Sequence, residues 1–278
     1  MSRLTLSELA AVVDGKLSNG DALFDGVSTD TRTLRHGELF IALRGPNFDG
    51  HDFVKAAFER GATGSLVEQG YDAASPVVSV DDTRLGFARL ARAWRLRCPA
   101  RVVGLTGSNG KTTLKTMIAA ILTQLGEVLA THGNLNNDIG VPLTLCRLRE
   151  EPFAVIEMGA NHAGEIAYLT DLVRPDVAVL NNGGRAHLEG FGSLEGVAHA
   201  KAEIIKGLGP DGVFVFNADD RFADLWRELA AGRRRKTFGI HRQADVQSPP
   251  QAYKVVWQDQ RFEARFPVSC AAGQEEIC

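Results

Sequence analysis

The chain has 278 residues, of which 44% are hydrophobic and 23% are charged, and its formal net charge is -3. This length predicts about two domains, each with its own core, and excludes a disordered tail or a miniprotein that depends on disulfides. The composition excludes a transmembrane helix, and the nearly balanced charge argues against binding to nucleic acid or to an anionic membrane.

We expect a monomeric, cytoplasmic protein with small-molecule partners. Residues 1–10 are predicted to form a short amphipathic helix, with Thr5 and Glu8 at the spacing of a capping box, rather than a signal sequence. The cysteines show neither zinc-binding nor redox spacing, which fits a reducing compartment. They are Cys98, Cys146, Cys270 and Cys278.

Strand and helix signals alternate over the first 98 residues. The pattern predicts strands at residues 37–43, 65–67 and 77–80, and helices at 52–60 and 82–98. Because Pro99 disfavours a helical conformation at Cys98, we expect the second helix and the first domain to end there. One buried face of this helix is expected to contain Leu85, Ala88, Leu90, Ala93 and Trp94.

From Arg101 onwards, apolar strands alternate with loops and amphipathic helices. The pattern predicts strands at 102–106, 127–130, 153–157, 177–180 and 213–216. It predicts helices that extend from the loop after residue 106 to Gly126, from 164 to 172 and from 194 to 208. Strands this apolar, separated by helices, indicate a parallel sheet covered on both faces.

The predicted fold is therefore α/β, with a small α/β domain at residues 1–98 followed by a P-loop domain with a parallel sheet at 99–268. Residues 269–278 show neither helical nor strand periodicity and are interpreted as an irregular tail. The basic run 233–236 is interpreted as a solvated turn between a helix ending near Ala231 and a strand at 237–240, because the chain has no net basic field.

A glycine-rich loop lies between the predicted strand 102–106 and the helix that follows it. Loop amides and a helix N-terminus in this setting surround phosphate oxygens. Lys111 would reach the outer phosphates, and Thr112 would offer its hydroxyl to magnesium. The spacing departs from G-x-x-x-x-G-K-[ST] because residue 105 is Leu, and a glycine-rich turn with a solvated lysine is the alternative. The predicted phosphate-binding residues are Gly107, Ser108, Asn109, Gly110, Lys111, Thr112 and Thr113.

Polar residues follow the later predicted strands. Glu157 ends the strand 153–157, and His187 lies in the loop after 177–180, so both could hold the metal that a phosphate loop requires. The alternatives are a glutamate that faces water and a histidine on a surface loop.

The residue pattern does not decide the roles of residues 217–220 and Lys201. Asn217-Ala218-Asp219-Asp220 could contact adenine and ribose, although a helix cap explains Asp219 or Asp220 equally well. Lys201 lies on the predicted helix 194–208, and the residue pattern alone predicts that it is a surface lysine.

These motifs together resemble the Mur ligases of peptidoglycan synthesis. The likeness covers about residues 4 to 240, and the motifs follow the order of the family. The stretches 134–142 and 188–193 are most similar to members that add D-alanyl-D-alanine to a UDP-N-acetylmuramoyl tripeptide. The segments that carry the likeness are residues 106–113, 133–142, 157–162, 187–193 and 217–220, together with Lys201.

The resemblance implies that ATP and Mg²⁺ bind to the second domain. ATP would bind at residues 107–113, with Asn217 at its base, and Thr112, Glu157 and His187 would hold magnesium. Lys201 matches a lysine that becomes carbamylated and helps to hold a second magnesium. The implied catalytic residues are Lys111, His187 and Lys201.

The resemblance also implies a UDP-sugar site in residues 1–98. The implied substrate-binding residues are Ser28, Thr29, Asp30, Arg32 and Asn47, with Asn136 and Asn137 in the second domain. The peptide carboxylate would attack the γ-phosphate of ATP, and the amine of D-alanyl-D-alanine would then attack the acyl phosphate to form an amide.

Two departures from the family affect these expectations. Gly183 and Arg185 stand where the family has an apolar residue and a proline, so we expect a looser loop before His187. The third domain of the family has no counterpart in this sequence, which leaves turnover by this chain open. The alternatives are a module that binds nucleotide or UDP-sugar without turnover, another Mur or folylpolyglutamate-type ligase, and a P-loop switch or kinase.

Overall fold

The computed structural model describes residues 4–72, 74–185, 188–247, 255–257 and 260–262. The strands are β1 (Leu4–Thr5), β2 (Lys16–Ser18), β3 (Leu23–Phe24), β4 (Val27–Ser28), β5 (Leu39–Ile41), β6 (Arg44–Gly45), β7 (Phe48–Asp49), β8 (Gly64–Glu68), β9 (Val77–Val80), β10 (Arg101–Thr106), β11 (Val128–Ala130), β12 (Phe153–Glu157), β13 (Val177–Leu180), β14 (Val213–Asn217), β15 (Arg234–Gly239), β16 (Val246–Gln247), β17 (Val255–Trp257) and β18 (Gln260–Phe262).

The helices are α1 (Leu6–Val13), α2 (Val54–Glu59), α3 (Thr83–Arg97), α4 (Lys111–Leu122), α5 (Gly140–Leu145), α6 (Glu165–Val173), α7 (Leu188–Phe191), α8 (Leu194–Ala202) and α9 (Ala223–Leu229). Two 3-10 helices, Gly50–Phe53 and Glu203–Gly207, precede α2 and follow α8. Within the described part of the chain, no helix combines the length and apolar character needed to cross a membrane.

The first helix, α1, begins at Leu6, later than the sequence predicts. The Thr5 hydroxyl accepts a hydrogen bond from the Glu8 amide at 3.1 Å, and the Glu8 carboxylate accepts one from the Thr5 amide at 2.9 Å. The predicted capping box is therefore present, and it fixes the start of the helix.

A five-stranded sheet forms the centre of the first 98 residues. Its strand order is β2-β9-β8-β5-β4, and its pairs are parallel except for β2 with β9. The predicted helix 52–60 is present as α2, and the 3-10 helix Gly50–Phe53 precedes it. Asp49 determines the start of this 3-10 helix, because its carboxylate accepts a hydrogen bond from the His51 amide at 2.9 Å.

The long helix α3 (Thr83–Arg97) lies within the predicted bounds, and most of its predicted buried face is confirmed, since Ala88, Leu90 and Trp94 are buried. Asp82 caps it by accepting hydrogen bonds from the amides of residues 84 and 85. Leu85 is 49% exposed and Ala93 is half-buried, whereas Phe87 and Trp94 are buried. Helix α3 packs against α1, β8, α5 and α6. Because these contacts determine which side of the helix is buried, the prediction that Leu85 is buried was wrong.

A seven-stranded, fully parallel sheet forms the second half, which confirms the predicted α/β fold. Its order is β11-β12-β10-β13-β14-β15-β16. Helix α4 packs over β10, β11 and β12 on one face, but Val103, Val177 and Val215 stay half-buried there. Helices thus lie on both faces, as expected, but on the face with α4 the strands are covered only in part.

Three predicted boundaries differ from the structure. Helix α4 ends at Leu122, and Leu125, which the pattern places on its apolar face, is 65% exposed. The predicted helix 194–208 changes to 3-10 geometry after Ala202. Most of the basic run belongs to β15, which begins at Arg234 because parallel pairing with β14 satisfies its backbone.

We predict that Thr5→Ala lowers the free energy of unfolding by about 1 kcal/mol, because it removes the acceptor that caps α1. Urea denaturation measures this change. Thr123→Ala is the matched control, since the exposed Thr123 hydroxyl donates to a carbonyl one turn earlier in the chain, and we expect a change within about 0.5 kcal/mol. Equal losses in both variants would contradict the role of the cap.

Candidate functional site

The glycine-rich loop lies where the central strand β10 gives way to α4. Gly110 is the N-cap of α4 and has a left-handed backbone with φ of 71°, which favours glycine. The first intrahelical bond of α4 runs from the Leu114 amide to the Gly110 carbonyl. The amides of residues 111–113 precede that bond, so they have no acceptor inside the helix and can bind an anion.

Lys111 folds back over this loop. Its amine donates hydrogen bonds to the carbonyl oxygens of Gly107 at 2.9 Å and Ser108 at 3.3 Å. Burial lowers the pKa of the Lys111 amine, and the charge of Glu157 opposes that shift. The structure therefore places this cation at the loop itself, as the sequence predicts.

Glu157 is the centre of a polar cluster at the end of β12. Its side chain is 2% exposed, and it accepts hydrogen bonds from the Thr112 hydroxyl at 3.0 Å and the side-chain nitrogen of Asn136 at 2.9 Å. Its own backbone amide donates to the Thr131 hydroxyl at 3.0 Å. The alternative of a glutamate that faces water is wrong, and three predicted site residues lie together here.

Lys115 also belongs to this cluster, although the sequence analysis did not identify it. Its amine lies 3.6 Å from a carboxylate oxygen of Glu157 and donates to the Gly133 carbonyl at 3.3 Å. The side chain is 7% exposed. Its spacing, three residues after Thr112 and four after Lys111 on α4, is a signal that could have identified it.

The Thr112 hydroxyl and the Glu157 carboxylate are oxygen donors of the kind that Mg²⁺ prefers. Among the residues that the structure describes, no group of three or more His, Cys, Asp and Glu side chains could hold a metal ion. His187, the third predicted ligand, lies outside the described residues. The donors present therefore fit an ion that takes its other ligands from phosphate and water, rather than a cage built wholly of protein.

Lys201 is buried, with 1% of its surface exposed, so the prediction of a surface lysine was wrong. Its amine donates to the Ala160 carbonyl at 3.2 Å and lies 5.3 Å from the centre of the Phe191 ring. Burial, together with the like charge of Lys111, lowers the pKa of this amine to about 8. An amine with this pKa is partly neutral near physiological pH and can act as a nucleophile.

A cavity of about 850 Å³ adjoins this cluster. Lys111, Asn136 and Asn137 line it, together with residues of α3 and α6 and of the loops that follow β11 and β12. At its edge, Arg84 forms an ion pair with Asp138 at 2.7 Å, which joins α3 to the loop after β11. Asn137 also has a structural role, since its side-chain oxygen accepts a hydrogen bond from the Gly140 amide at the start of α5.

The other predicted substrate residues do not line this cavity. Ser28 donates to the Asp30 carbonyl at 2.9 Å, and the Asp30 carboxylate binds the guanidinium of Arg32, which lowers the pKa of Asp30. The Arg32 side chain is 84% exposed. Thr29 is half-buried, and Asn47 lies exposed in the turn between β6 and β7.

The neighbouring His51 has a structural role. Its Nδ1 pairs with the Asp49 carboxylate, and its Nε2 accepts a hydrogen bond from the Glu68 amide at 2.9 Å. Hydrogen bonds from His51 lower the pKa of Asp49 to about 2.

The segment after β14 joins several loops. Asp219 accepts hydrogen bonds from the amides of residues 240–242, and Asp220 accepts them from Gly183 and Phe222. The Asn217 side-chain oxygen accepts a hydrogen bond from the Asp219 amide at 2.9 Å. Both carboxylates thus bind backbone amides, but neither is the predicted helix cap, because the N-cap of α9 is Phe222 and has no side-chain cap hydrogen bond. Asn217 stays half-buried at the strand end.

Sequence comparisons identify relatives over most of the chain. The profile of the Mur ligase middle domain matches residues 105–270, and that of the Mur ligase family catalytic domain matches residues 23–95. The UDP-N-acetylmuramoyl-tripeptide–D-alanyl-D-alanine ligase of Escherichia coli is 52% identical over 235 residues, which cover 84% of this chain and 52% of the relative. The ligase of the same name from Bacillus subtilis is 42% identical over 258 residues, with coverages of 89% and 55%. The chain spans about half the length of the curated relatives it matches.

Solved structures show the same fold. A crystal structure of MurF from Acinetobacter baumannii matches with a TM-score of 0.82 and 38% identity, covering 89% of this chain and 55% of that one. The MurF ligase from Thermotoga maritima in complex with ADP matches with a TM-score of 0.76 and 34% identity, with coverages of 85% and 57%.

We predict that Lys115→Met lowers the free energy of unfolding by about 3 kcal/mol, because it leaves the buried Glu157 carboxylate without its adjacent cation. Lys206→Met, at an exposed lysine, is the matched control. Urea denaturation would measure both, and Glu157→Gln should recover part of the loss in the Lys115→Met background. If Lys115→Met costs the same stability with and without the Glu157→Gln change, the two side chains do not interact.

Proposed function

The chain belongs to the Mur ligase family, and we propose that it forms the UDP-sugar-binding and ATP-binding part of a ligase that joins D-alanyl-D-alanine to a UDP-N-acetylmuramoyl tripeptide. The observation that carries this proposal is the cluster of Lys111, Thr112 and Glu157 at the end of the parallel sheet, beside the cavity that Asn136 lines. The identity of 52% to a ligase of this specificity supports the choice among Mur ligases over the folylpolyglutamate-type alternative.

In this proposal the two halves divide the substrates. Residues 1–98 hold the UDP end of the sugar, using Ser28, Thr29, Asp30, Arg32 and Asn47, and residues 99–268 hold ATP. The peptide end would lie in the cavity of about 850 Å³ between α3 and the loops after β11 and β12, where Asn136 and Asn137 offer polar contacts. The cytoplasmic location and the monomeric state stay predictions.

The loop from Gly107 to Thr113 would hold the phosphates of ATP. The amides at the start of α4 point to this region without acceptors in the helix, and Lys111 supplies a positive charge that can pass from the loop carbonyls to phosphate oxygens. Asn217, at the end of β14, would contact the base. The relative from Thermotoga maritima, which carries ADP, supports nucleotide binding by this fold.

Thr112 and Glu157 would hold Mg²⁺, with His187 as the third protein ligand. The ion would supply positive charge that offsets the charge of the phosphates. Because the Glu157 carboxylate is buried and already fixed by two donors, the protein would present it with little reorganisation.

Lys201 would carry a carbamate. Its neutral amine attacks CO₂, a C–N bond forms, and a proton is released to solvent, so that a buried cation becomes an anion. The lowered pKa favours this step, because the amine is neutral at a lower pH than an ordinary lysine. The product would stand beside Lys111 and help to hold a second magnesium.

The reaction then follows from these positions. The peptide carboxylate attacks the γ-phosphorus of ATP, the bond to ADP breaks, and an acyl phosphate forms. Lys111 and the loop amides stabilise the charge on the transferred group. The amine of D-alanyl-D-alanine attacks the acyl carbon, phosphate leaves, and a proton is lost from the nitrogen as the amide forms.

A chimera tests this function. Residues 1–247 of this chain would replace the corresponding part of the Escherichia coli relative, and formation of ADP and of the amide product would be followed with UDP-N-acetylmuramoyl tripeptide and D-alanyl-D-alanine. We expect both products, and hydroxylamine should trap the acyl phosphate when the dipeptide is left out. A folded chimera that binds ATP and the UDP-sugar substrate without forming product would favour the alternative, a module that binds its ligands without turnover.

We predict that Lys111→Ala weakens ATP binding by about 100-fold, because it removes the charged donor for the outer phosphates. Isothermal titration of the 278-residue chain with Mg-ATP measures the change. Lys206→Ala, at an exposed lysine outside the loop, should bind as the wild type does. Unchanged affinity in the Lys111 variant would refute the assignment of the loop.

We predict that Lys201 takes up ¹³C-labelled bicarbonate as a carbamate, and that the carbamate signal in ¹³C NMR falls as the pH is lowered through about 8. The sign follows from the lowered pKa: below it the amine is protonated and cannot attack CO₂. Lys201→Ala should lose the signal, whereas Lys206→Ala should keep it. A signal that persists in the Lys201 variant would assign the carbamate to another amine.

A further inference from the structure

The phosphate loop, residues 107–113, makes three hydrogen bonds with the side chain of Asn182, a residue that has no assigned role. The side-chain oxygen of Asn182, in the loop after β13, accepts hydrogen bonds from the amides of Ser108 at 3.0 Å and Asn109 at 2.9 Å. Its side-chain nitrogen donates to the Asn109 carbonyl at 3.1 Å. One carboxamide thus fixes two successive amides and one carbonyl of the loop.

Neighbouring contacts reinforce this arrangement. Asn181 donates to the same Asn109 carbonyl at 3.0 Å, and the Ser108 hydroxyl donates to the Gly184 carbonyl at 3.0 Å. The Ser108 amide also donates to the Asn182 carbonyl at 3.1 Å. The loop after β10 and the loop after β13 are therefore joined at several points.

The segment after β14 is hydrogen-bonded to the loop after β13. The Asp220 carboxylate, after β14, accepts a hydrogen bond from the Gly183 amide at 2.9 Å, and Gly183 packs so closely on Phe222 and Trp226 that a Cβ there would lie 3.1 Å from each ring. The residue that follows Asn182 is thus held in place by a hydrogen bond and by close packing. The expected loosening of the loop before His187 stays a prediction, because residues 186 and 187 lie outside the described part of the chain.

Within the loop from Gly107 to Thr113, Asn182 binds the amides of the first part and leaves those at the start of α4 for phosphate. It binds the amides of residues 108 and 109, whereas the amides of 111–113 at the start of α4 have no acceptor within the helix. A flexible glycine-rich loop loses conformational freedom when it binds a ligand, and a loop that is already fixed loses less. The carboxamide is neutral, so it fixes the amides without repelling phosphate.

We propose that Asn182 is a positioning residue that holds the phosphate loop in its phosphate-binding shape before the nucleotide arrives. This inference rests on the proposed nucleotide site and deepens it. Asn182 acts through the loop, and the ligand is a nucleoside diphosphate or triphosphate that the free amides and Lys111 bind.

Two measurements on the 278-residue chain test this inference. Amide hydrogen exchange by NMR, without nucleotide, reports the Asn109 amide, which belongs to an exposed residue and has Asn182 as its acceptor. Isothermal titration with Mg-ADP reports binding. Asn182→Ala should remove the protection of the Asn109 amide and weaken ADP binding by about tenfold or more, which corresponds to the loss of one or two hydrogen bonds.

Asn181→Ala provides a graded comparison, because it removes one hydrogen bond to the loop and leaves the two amides bound to Asn182. We expect a smaller loss of ADP affinity and no loss of protection at Asn109. Thr5→Ala is the control for stability, since it weakens the fold far from the loop and should leave both readouts unchanged.

The outcomes separate this inference from the proposed function. If the wild type binds ADP and Asn182→Ala binds it equally well, the inference is overturned while the nucleotide site stands. If the Asn109 amide of the wild type exchanges as freely as an open loop, the inference also fails, even where Asn182→Ala cannot be folded. If the wild type binds no ADP although Asn109 is protected, the proposed function fails instead.

Discussion

A buried carboxylate must be compensated, and this requirement organises the candidate site. Glu157 is buried at the end of a central strand, where an unpaired charge would be costly. Two elements supply its three partners: Thr112 and Lys115 come from α4, and Asn136 comes from the loop after β11. The start of the helix after the phosphate loop and the edge of the cavity are therefore both fixed by the same side chain.

The strands and most helices could be predicted because their apolar periodicity is local. The capping box at Thr5 and the bounds of α3 are signals of this kind. The exposure of Leu85 on α3 could not be predicted in the same way, because the helix contacts elements from both halves of the chain. The apolar pattern of one helix indicates that one side is buried, but it does not show how many other elements pack against the helix.

The residues of the candidate site also divide into those with a local sequence signal and those that depend on contacts far along the chain. The glycine-rich loop between β10 and α4 was predictable because glycines, lysine and threonine occur in sequence between a strand and a helix. The burial of Lys201 was not, because it depends on the Ala160 carbonyl and the Phe191 ring, which only the folded chain brings together. Lys115 was read as part of an amphipathic helix, and Asn182 as part of a loop, because their partners, Glu157 and Ser108, lie far from them along the chain. Only the resemblance to a family drew attention to Lys201.

The two sheets share one continuous hydrophobic core, and this limits how the protein can move. Trp94 and Phe87 of α3 belong to the same buried cluster as Ile156 of β12 and Leu172 of α6. Trp94 also donates to the Leu148 carbonyl at 3.0 Å, and Arg95 donates to the Val173 carbonyl at 3.0 Å. A hinge at residues 98 and 99 would have to break these contacts and expose the cluster to water. We therefore expect the two sheets to move as a rigid body, so that folding sets the distance between the candidate sites on the two halves.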